Sequence, residues 1–160
     1  MRLGSMYNHA TKNYACPLCI AAEGREGPET MVVQTDIIYK DELVTALVNS
    51  FFRPHNMGHV IVIPNKHFEN IYDMDDTYLA QIAKVAKKVA IALKKAYKCD
   101  GTSIAQHNEP AGNQDAFHYH LHVFPRYVGD DLYGGLAGKE RLRPTPEERM
   151  KYADKLKKYL

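Results

Sequence analysis

The chain has 160 residues, of which 45% are hydrophobic and 25% are charged, and lysine plus arginine outnumber aspartate plus glutamate by 21 to 19. These values are typical of one globular domain that buries about two thirds of its unfolded surface. Such balanced charge favours no nucleic-acid partner. No apolar run approaches the length of about twenty residues that a membrane span needs, and no signal-peptide core is present, so we expect a cytoplasmic protein.

The first motif in the chain is Cys16-Pro17-Leu18-Cys19. The three cysteines are an odd number, and disulfides are rare in the expected compartment, so a disulfide framework is disfavoured. A Cys-x-x-Cys turn can present two thiolates to zinc, and a structural zinc site needs two further ligands. The spacing alone is also compatible with a turn that binds no metal. We expect Cys99 to be buried at a helix end.

Three strands are predicted between residues 37 and 63. Residues 37–39 and 43–48 are rich in β-branched side chains and flank a short polar loop, which indicates a hairpin. Residues 59–63 are almost uniformly apolar, so we expect this strand in the middle of a sheet. The loop between Asn49 and His59 then returns the chain for antiparallel pairing.

One long helix is predicted over residues 76–97, where apolar residues recur at i, i+3, i+4 and i+7. Its lysines lie largely on the opposite side and indicate a solvated face, since no aromatic residues interleave with them. A short strand follows at 102–105. Thr145, Pro146 and Glu148 form the pattern of a capping box that opens a last helix, ending near residue 159. The fold class is therefore α+β with a predominantly antiparallel sheet.

Three histidines, His118, His120 and His122, occupy every second position of an apolar stretch. This alternation predicts a strand on which all three imidazoles share one face, with consecutive rings about 6.6 Å apart along the backbone. Two neighbouring rings could share a zinc ion, but three could not without distortion. At least one of the three histidines is therefore available for other chemistry.

The triad, the Pro125-Arg126 that follows it, and the upstream run from Gly58 to Pro64 together resemble the histidine triad (HIT) family of nucleotide hydrolases and transferases. The resemblance covers about residues 16–127. It implies a HIT-like α+β domain at 16–127, between a flexible N-terminal segment at 1–15 and a C-terminal extension with a helix at 128–160. It also implies a homodimer that binds a nucleotide, with a purine base preferred, and cleaves the bond between the α-phosphorus and a leaving group.

The candidate catalytic residues are the three triad histidines, His118, His120 and His122, and the resemblance assigns the chemistry itself to the last two. A neutral imidazole, with an ordinary pKa of about 6.5, is a competent nucleophile near neutral pH. His120 is the expected nucleophile, forming a nucleotidyl-histidine intermediate. His122 is expected beside the phosphate as a hydrogen-bond donor or proton carrier.

Four further residues are expected to bind substrate. Asn108 and Gln114 match family positions that contact phosphate, and their amides can donate hydrogen bonds without adding charge. Asn49 stands where related sequences place a ribose-binding residue. Asp115 departs from the family pattern, in which many members carry Ser or Thr. A carboxylate cannot donate a hydrogen bond unless it is protonated, so the leaving-group preference stays open.

The resemblance also implies a structural zinc ion. Related Cys-x-x-Cys members complete the site with the histidine after Gly and with the first triad histidine. Carried over, the zinc ligands are Cys16, Cys19, His59 and His118. We rank three other histidines lower as site residues: His55, His67 and His107.

Three functional classes follow. The first is a hydrolase acting on nucleoside phosphoramidates or dinucleoside polyphosphates through a nucleotidyl-histidine. The second is a nucleotidyltransferase or phosphorylase, which uses the same intermediate with phosphate as acceptor. The third is a nucleotide-binding regulator with little turnover, which the intact triad disfavours. A zinc hydrolase is disfavoured as well, because a zinc ion with four protein ligands has no open position.

Overall fold

A computed structural model describes residues 6–134 and 140–160. Its helices and strands follow in chain order: α1 (Pro17–Ala22), β1 (Ile37–Lys40), β2 (Val44–Val48), β3 (Val60–Pro64), α2 (Asp76–Tyr97), β4 (Gly101–Gln106), β5 (Leu121–Arg126) and α3 (Pro146–Lys157). Short 3₁₀ turns lie at Gln34–Asp36 and Pro110–Gly112. Within the described ranges, none of the helices is long and apolar enough to cross a membrane.

The five strands form one sheet in the order β1-β2-β3-β5-β4, and every neighbouring pair is antiparallel. The predicted α+β class with an antiparallel sheet is confirmed. All residues of β2 and β3 are buried, and β3 lies between β2 and β5, as its uniformly apolar sequence predicts. In the β3–β5 register, Val60 faces Val123 and Val62 faces Leu121.

Helix α2 spans the predicted residues. Asp75 caps its start by accepting a hydrogen bond from the Thr77 backbone N–H, and Lys98 ends it in the left-handed conformation with φ 56°. Its apolar stripe packs on one face of the sheet, where Val85 and Val89 belong to the main core cluster. The opposite face carries α1 and a smaller apolar cluster, so part of that face remains available for a site.

The C-terminal helix α3 packs on the main core. The predicted capping box is present, with the Thr145 side chain accepting from the Glu148 backbone N–H. Arg149 is buried and forms an ion pair with buried Asp36 at 2.9 Å. A side chain at Gly58 would collide with Tyr152 of this helix, so only glycine allows the close approach there.

The triad strand begins later than the alternation predicts. Strand β5 starts at Leu121, so His118 and His120 lie in the segment that leads into the sheet. Their backbone is held there by other contacts, including a hydrogen bond from the Tyr119 N–H to the Phe68 carbonyl at 2.6 Å. Of the three histidines, His122 is the one that pairs within the ladder.

The predicted terminal segments are described in part. In the N-terminal segment, the backbone N–H groups of His9 and Ala10 donate to the carboxylate of buried Glu69. Residues 1–5 of that segment, and residues 135–139 of the C-terminal extension, lie outside the described residues. The division into three segments stays a prediction.

Candidate functional site

A pocket of about 800 Å³ opens on the sheet face that carries α1. Polar and charged side chains from widely separated parts of the chain line it: Asn49, Arg53, His59, His107, Asn113, Asp115, His120, His122 and Arg141. Apolar walls come from Leu18, Phe51, Ile61 and Phe124. A concave, partly apolar cavity with convergent polar groups is the usual form of a small-molecule site.

The imidazole of His120 is buried and held in one orientation. Its Nδ1 lies 2.7 Å from the carbonyl oxygen of His118, and because a carbonyl only accepts, Nδ1 carries the proton of that bond. Its Nε2 lies 3.4 Å from Oδ1 of Asp115, which also lines the pocket. Nε2 is therefore the ring atom on the cavity side; it bonds to the Asp115 carboxylate only when it carries a proton, and it has a lone pair for attack only when it does not.

Asp115 links the triad to the C-terminal segment. Its second oxygen, Oδ2, accepts a hydrogen bond from Nη1 of Arg141 at 2.7 Å. The contact with His120 lowers the pKa of Asp115 most, and Arg141 lowers it further against the opposing effect of burial. The group is therefore a carboxylate near neutral pH, and it accepts hydrogen bonds without donating any.

His122 and His59 are neutral rings at the floor of the pocket. Their ring centroids are 5.5 Å apart, and His122 lies 4.9 Å from His120. Burial lowers the pKa of both, to about 3 for His59, because charging a ring away from water is unfavourable. Within residues 6–134 and 140–160, neither Nδ1 atom has a hydrogen-bond partner, and both atoms are buried.

A second cluster lies beside the pocket and has the composition of a metal site. Within the described part of the chain, one ligand atom from each of Cys16, Cys19, His67 and His118 lies within 4.8 Å of the other three. The nitrogen–sulfur distances are 3.2 Å from Cys19 to His67, and 3.3 and 3.4 Å from Cys16 and Cys19 to His118. Tetrahedral zinc with ordinary bond lengths separates such atoms by about 3.5 Å, so the arrangement fits zinc.

The protonation of these groups also suits a cation. The Nε2 atom of His118 lies 3.0 Å from the Pro64 carbonyl, so this nitrogen carries the proton and Nδ1 points its lone pair at the sulfur atoms. The pKa of the Cys16 thiol is lowered by the Cys19 side chain first, and by His118 in addition. A thiolate and a correctly oriented neutral imidazole are the forms that bind zinc.

The predicted ligand set needs one correction, since His67 takes the position expected for His59. Because β3 and β5 are antiparallel, the chain before Leu121 runs past the end of β3, toward His67. His59 lies at the start of β3, where its ring stacks on Phe124 at 4.5 Å. The His118 ring lies 3.0 Å from the Pro64 carbonyl at the far end of β3, and the five residues of that strand span about 16 Å, so His59 and His118 cannot share one ion.

A protein-family model matches the part of the chain that contains the sheet and the histidine triad. The family model for the HIT domain matches residues 30–129, more than half of the chain. The chain belongs to the HIT family. An uncharacterized HIT-like protein of Methanocaldococcus jannaschii is 37% identical over 98 residues, which cover 61% of this chain and 74% of that protein.

Solved structures of other HIT proteins resemble this one along most of its length. A zinc-bound histidine triad family protein from Mycobacterium smegmatis has a TM-score of 0.72 and 29% identity, over 91% of this chain and 92% of that one. A hypothetical histidine triad nucleotide-binding protein from Sulfolobus tokodaii has a TM-score of 0.71 and 31% identity, over 90% and 91% of the two chains.

Two of the expected substrate-binding residues of this HIT protein support the loop before the triad instead of lining the pocket. Asn108 accepts a hydrogen bond from the Ile71 backbone N–H at 2.9 Å. Buried Gln114 accepts one from the Glu109 N–H at 2.6 Å and donates to the Glu69 carbonyl. Both amides are therefore engaged in folding contacts, and neither lines the cavity.

Asn49 does line the pocket of the HIT protein, at the end of β2. Its side-chain Nδ2 lies 2.6 Å from Nε2 of His59, so the amide donates and the ring nitrogen accepts. That bond places the proton of His59 on Nδ1. Asn49 thus fixes the orientation of a pocket histidine, and its contact with a ribose stays a prediction.

Several pocket residues were not anticipated from the sequence. Four of them belong to no sequence motif: Phe51, Arg53, Asn113 and Arg141. Arg141 also lies beyond residues 16–127, which the family resemblance covers. His107 was ranked low, although its place next to the triad loop was a usable indication. Its Nδ1 donates to the Gly112 carbonyl at 2.8 Å, and its ring lies 5.9 Å from that of His122.

Proposed function

We propose that this HIT protein binds nucleotides and hydrolyses them at the α-phosphorus through a nucleotidyl-histidine on His120. The observation that carries the proposal is the orientation of His120 in the pocket, with Nδ1 bonded to the His118 carbonyl and Nε2 directed at the cavity wall. Membership of the HIT family and the resemblance to a hypothetical histidine triad nucleotide-binding protein from Sulfolobus tokodaii support the nucleotide as ligand.

The proposed reaction has two displacements at phosphorus. In the first, the Nε2 lone pair forms a P–N bond while the bond from phosphorus to the leaving group breaks with its electron pair. In the second, water attacks the same phosphorus, the P–N bond breaks, and nucleoside monophosphate leaves with the neutral imidazole restored. The proton released by the water is carried away by solvent or the leaving group.

His122 and His59 have supporting roles in this proposal. Both are neutral because burial lowers their pKa, so they can face a phosphate as N–H donors or exchange a proton with the leaving group. The first triad residue, His118, belongs to the cluster proposed to bind structural zinc and only orients His120 through its carbonyl.

The test is to trap the intermediate. Wild-type protein incubated with nucleotide labelled at the α-phosphate and quenched during turnover should carry label that is stable to base and labile to acid, as expected for a phosphoramidate. His120→Ala should abolish turnover while nucleotide binding stays within about tenfold, because a nucleophile acts mainly in the transition state. His55→Ala, in an exposed loop, is the matched control and should keep full activity.

More than a tenth of wild-type activity in His120→Ala would rule out the covalent mechanism. Running the wild-type reaction with added phosphate shows whether nucleoside diphosphate forms, which would make phosphate the acceptor in place of water. The homodimeric state, the cytoplasmic location and the purine preference stay predictions.

A further inference from the structure

The C-terminal segment brings a positive charge to the candidate active site. Leu142 and Phe52 exchange backbone hydrogen bonds at 3.0 and 2.9 Å, which anchors this segment against the loop after β2. The adjacent Arg141 side chain lines the pocket and bonds Asp115 at 2.7 Å. Its guanidinium also lies over the Phe51 ring, 5.8 Å from the centroid. Arg141 is therefore held beside the proposed nucleophile by backbone, ion-pair and ring contacts.

A second guanidinium lines the same pocket. Arg53 lies on the loop after β2, and its pKa is lowered by burial first and then by the nearby charge of Arg141, while the charge of Asp115 acts in the opposite direction. Arginine side chains keep their charge at neutral pH despite such shifts. Two cations that repel each other within one cavity are stabilised when an anion binds between them.

The carboxylates of the pocket do not cancel the preference of the two guanidinium groups for an anion. Among the described residues that line it, the carboxylates are Asp115, which is already paired with Arg141, and Glu29, which is exposed on the loop before β1. Arg141 presents five N–H donors, and the bond to Asp115 occupies Nη1. The remaining donors have the planar arrangement that binds phosphate oxygens in pairs.

We infer that Arg141, assisted by Arg53, binds the phosphates beyond the α-phosphorus and so selects polyphosphate leaving groups over amines. The inference rests on the proposed function. Arg141 acts in two ways that favour the same substrates: it offers donors to the distal phosphates, and it neutralises Asp115, whose charge would otherwise repel them. An amine leaving group carries no distal phosphate, so it gains little from either effect.

The test compares binding of two intact substrates in the His120→Ala background, where turnover is removed. Dissociation constants are measured for diadenosine triphosphate and for adenosine 5′-phosphoramidate, with and without Arg141→Gln. Loss of the charged donor should weaken binding of the polyphosphate about tenfold or more and that of the phosphoramidate by less than about threefold. Arg143→Gln is the matched control, because Arg143 lies over the same Phe51 ring but does not line the pocket.

An equal change for the two ligands, or an equal effect of Arg143→Gln, would overturn the role of Arg141 in selection. A second measurement needs no change at Arg141 and therefore applies even if that variant does not fold. Raising the salt concentration should weaken binding of the polyphosphate several times more than that of the phosphoramidate, since ions screen the additional charge contacts. Equal salt dependence would contradict the inference.

The two proposals fail in different experiments. Selective binding that depends on Arg141 can be present in a protein that forms no nucleotidyl-histidine, in which case the hydrolase mechanism is wrong and the binding role of Arg141 is supported. If label is trapped on the protein but binding does not depend on Arg141, the hydrolase mechanism is supported and the role of Arg141 in selection is wrong.

Discussion

His118 and His120 stand two residues apart and belong to two different sites. The His118 ring donates from Nε2 to the Pro64 carbonyl and turns Nδ1 toward two cysteine sulfurs. The His120 ring donates from Nδ1 to the His118 carbonyl and turns Nε2 toward the pocket. The two imidazoles thus hold their protons on opposite nitrogens. The backbone carbonyl that each ring meets decides which nitrogen is left to bind a metal or to react.

The two sites also differ in how the chain builds them. The metal cluster combines the turn at the start of α1 with His67 and the approach to β5, so it joins segments that the sheet does not pair. The pocket is built around residues held by the central strands, with His122 opposite Ile61 in the ladder. We therefore expect loss of the candidate zinc ligands to affect folding, and loss of pocket residues to affect nucleotide binding and the proposed turnover.

The largest expected effect is on stability, from loss of the metal cluster. Purified protein should carry about one zinc ion per chain, and structural zinc sites reach about 10–16 kcal/mol of apparent binding energy. Cys16→Ser or added chelator should therefore remove the zinc and lower the melting temperature by many degrees, as measured by metal analysis and calorimetry. Cys99→Ala is the matched control, because Cys99 is buried outside the cluster and its loss should leave the zinc content unchanged.

Less than about a tenth of an equivalent of zinc in protein purified without chelator would remove the metal site. In that case His118 would again be a candidate for the catalytic set.

The next prediction compares the loss of His67 with the loss of His59 and so tests the two sites separately. His67→Ala should lose most of the zinc, because three ligands hold the ion much less tightly than four. His59→Ala should retain the zinc and weaken nucleotide binding, because the His59 ring lines the pocket and not the cluster. Zinc lost from His59→Ala and kept in His67→Ala would reverse the assignment of the fourth ligand.

The smallest expected effect is a difference in titration between the pocket histidines and a free histidine, measured on the unaltered protein. Burial lowers the pKa of His122 and His59, so both rings should stay neutral as the pH falls through about 6.5, where an unfolded chain gains protons. Nitrogen NMR of the imidazoles should therefore show the neutral form of these two rings at about pH 5, with free histidine in the same tube as the control.

The sign of the accompanying change in stability follows from the same lowering. The unfolded chain binds more protons below the ordinary pKa, so the contribution of these rings is complete above about pH 6.5 and declines as the pH falls toward the folded-state pKa, about 3 for His59. Protonation of His122 near pH 6.5 would show that the pocket floor is open to water.

Local sequence patterns determined much of the fold of this HIT protein. The helix at 76–97 and the capping box at Thr145 were predicted correctly, because apolar periodicity and end-capping act over a few neighbouring residues. The two-residue alternation predicted a strand over the whole triad, but of the three histidines only His122 lies in β5. It could not locate the start of the strand, since pairing begins only where a partner strand lies alongside.

The motifs also indicated the family and the expected nucleophile, but they could not identify the fourth candidate metal ligand or the residues of the pocket wall. His59 and His67 flank the same apolar strand, and only the antiparallel register of β3 and β5 places His67 next to His118. Arg141 lies far along the chain from Asp115, and a backbone bridge between Leu142 and Phe52 brings it there. Local preferences specify elements and motifs, whereas contacts between distant residues depend on the packed sheet, which single-sequence patterns do not encode.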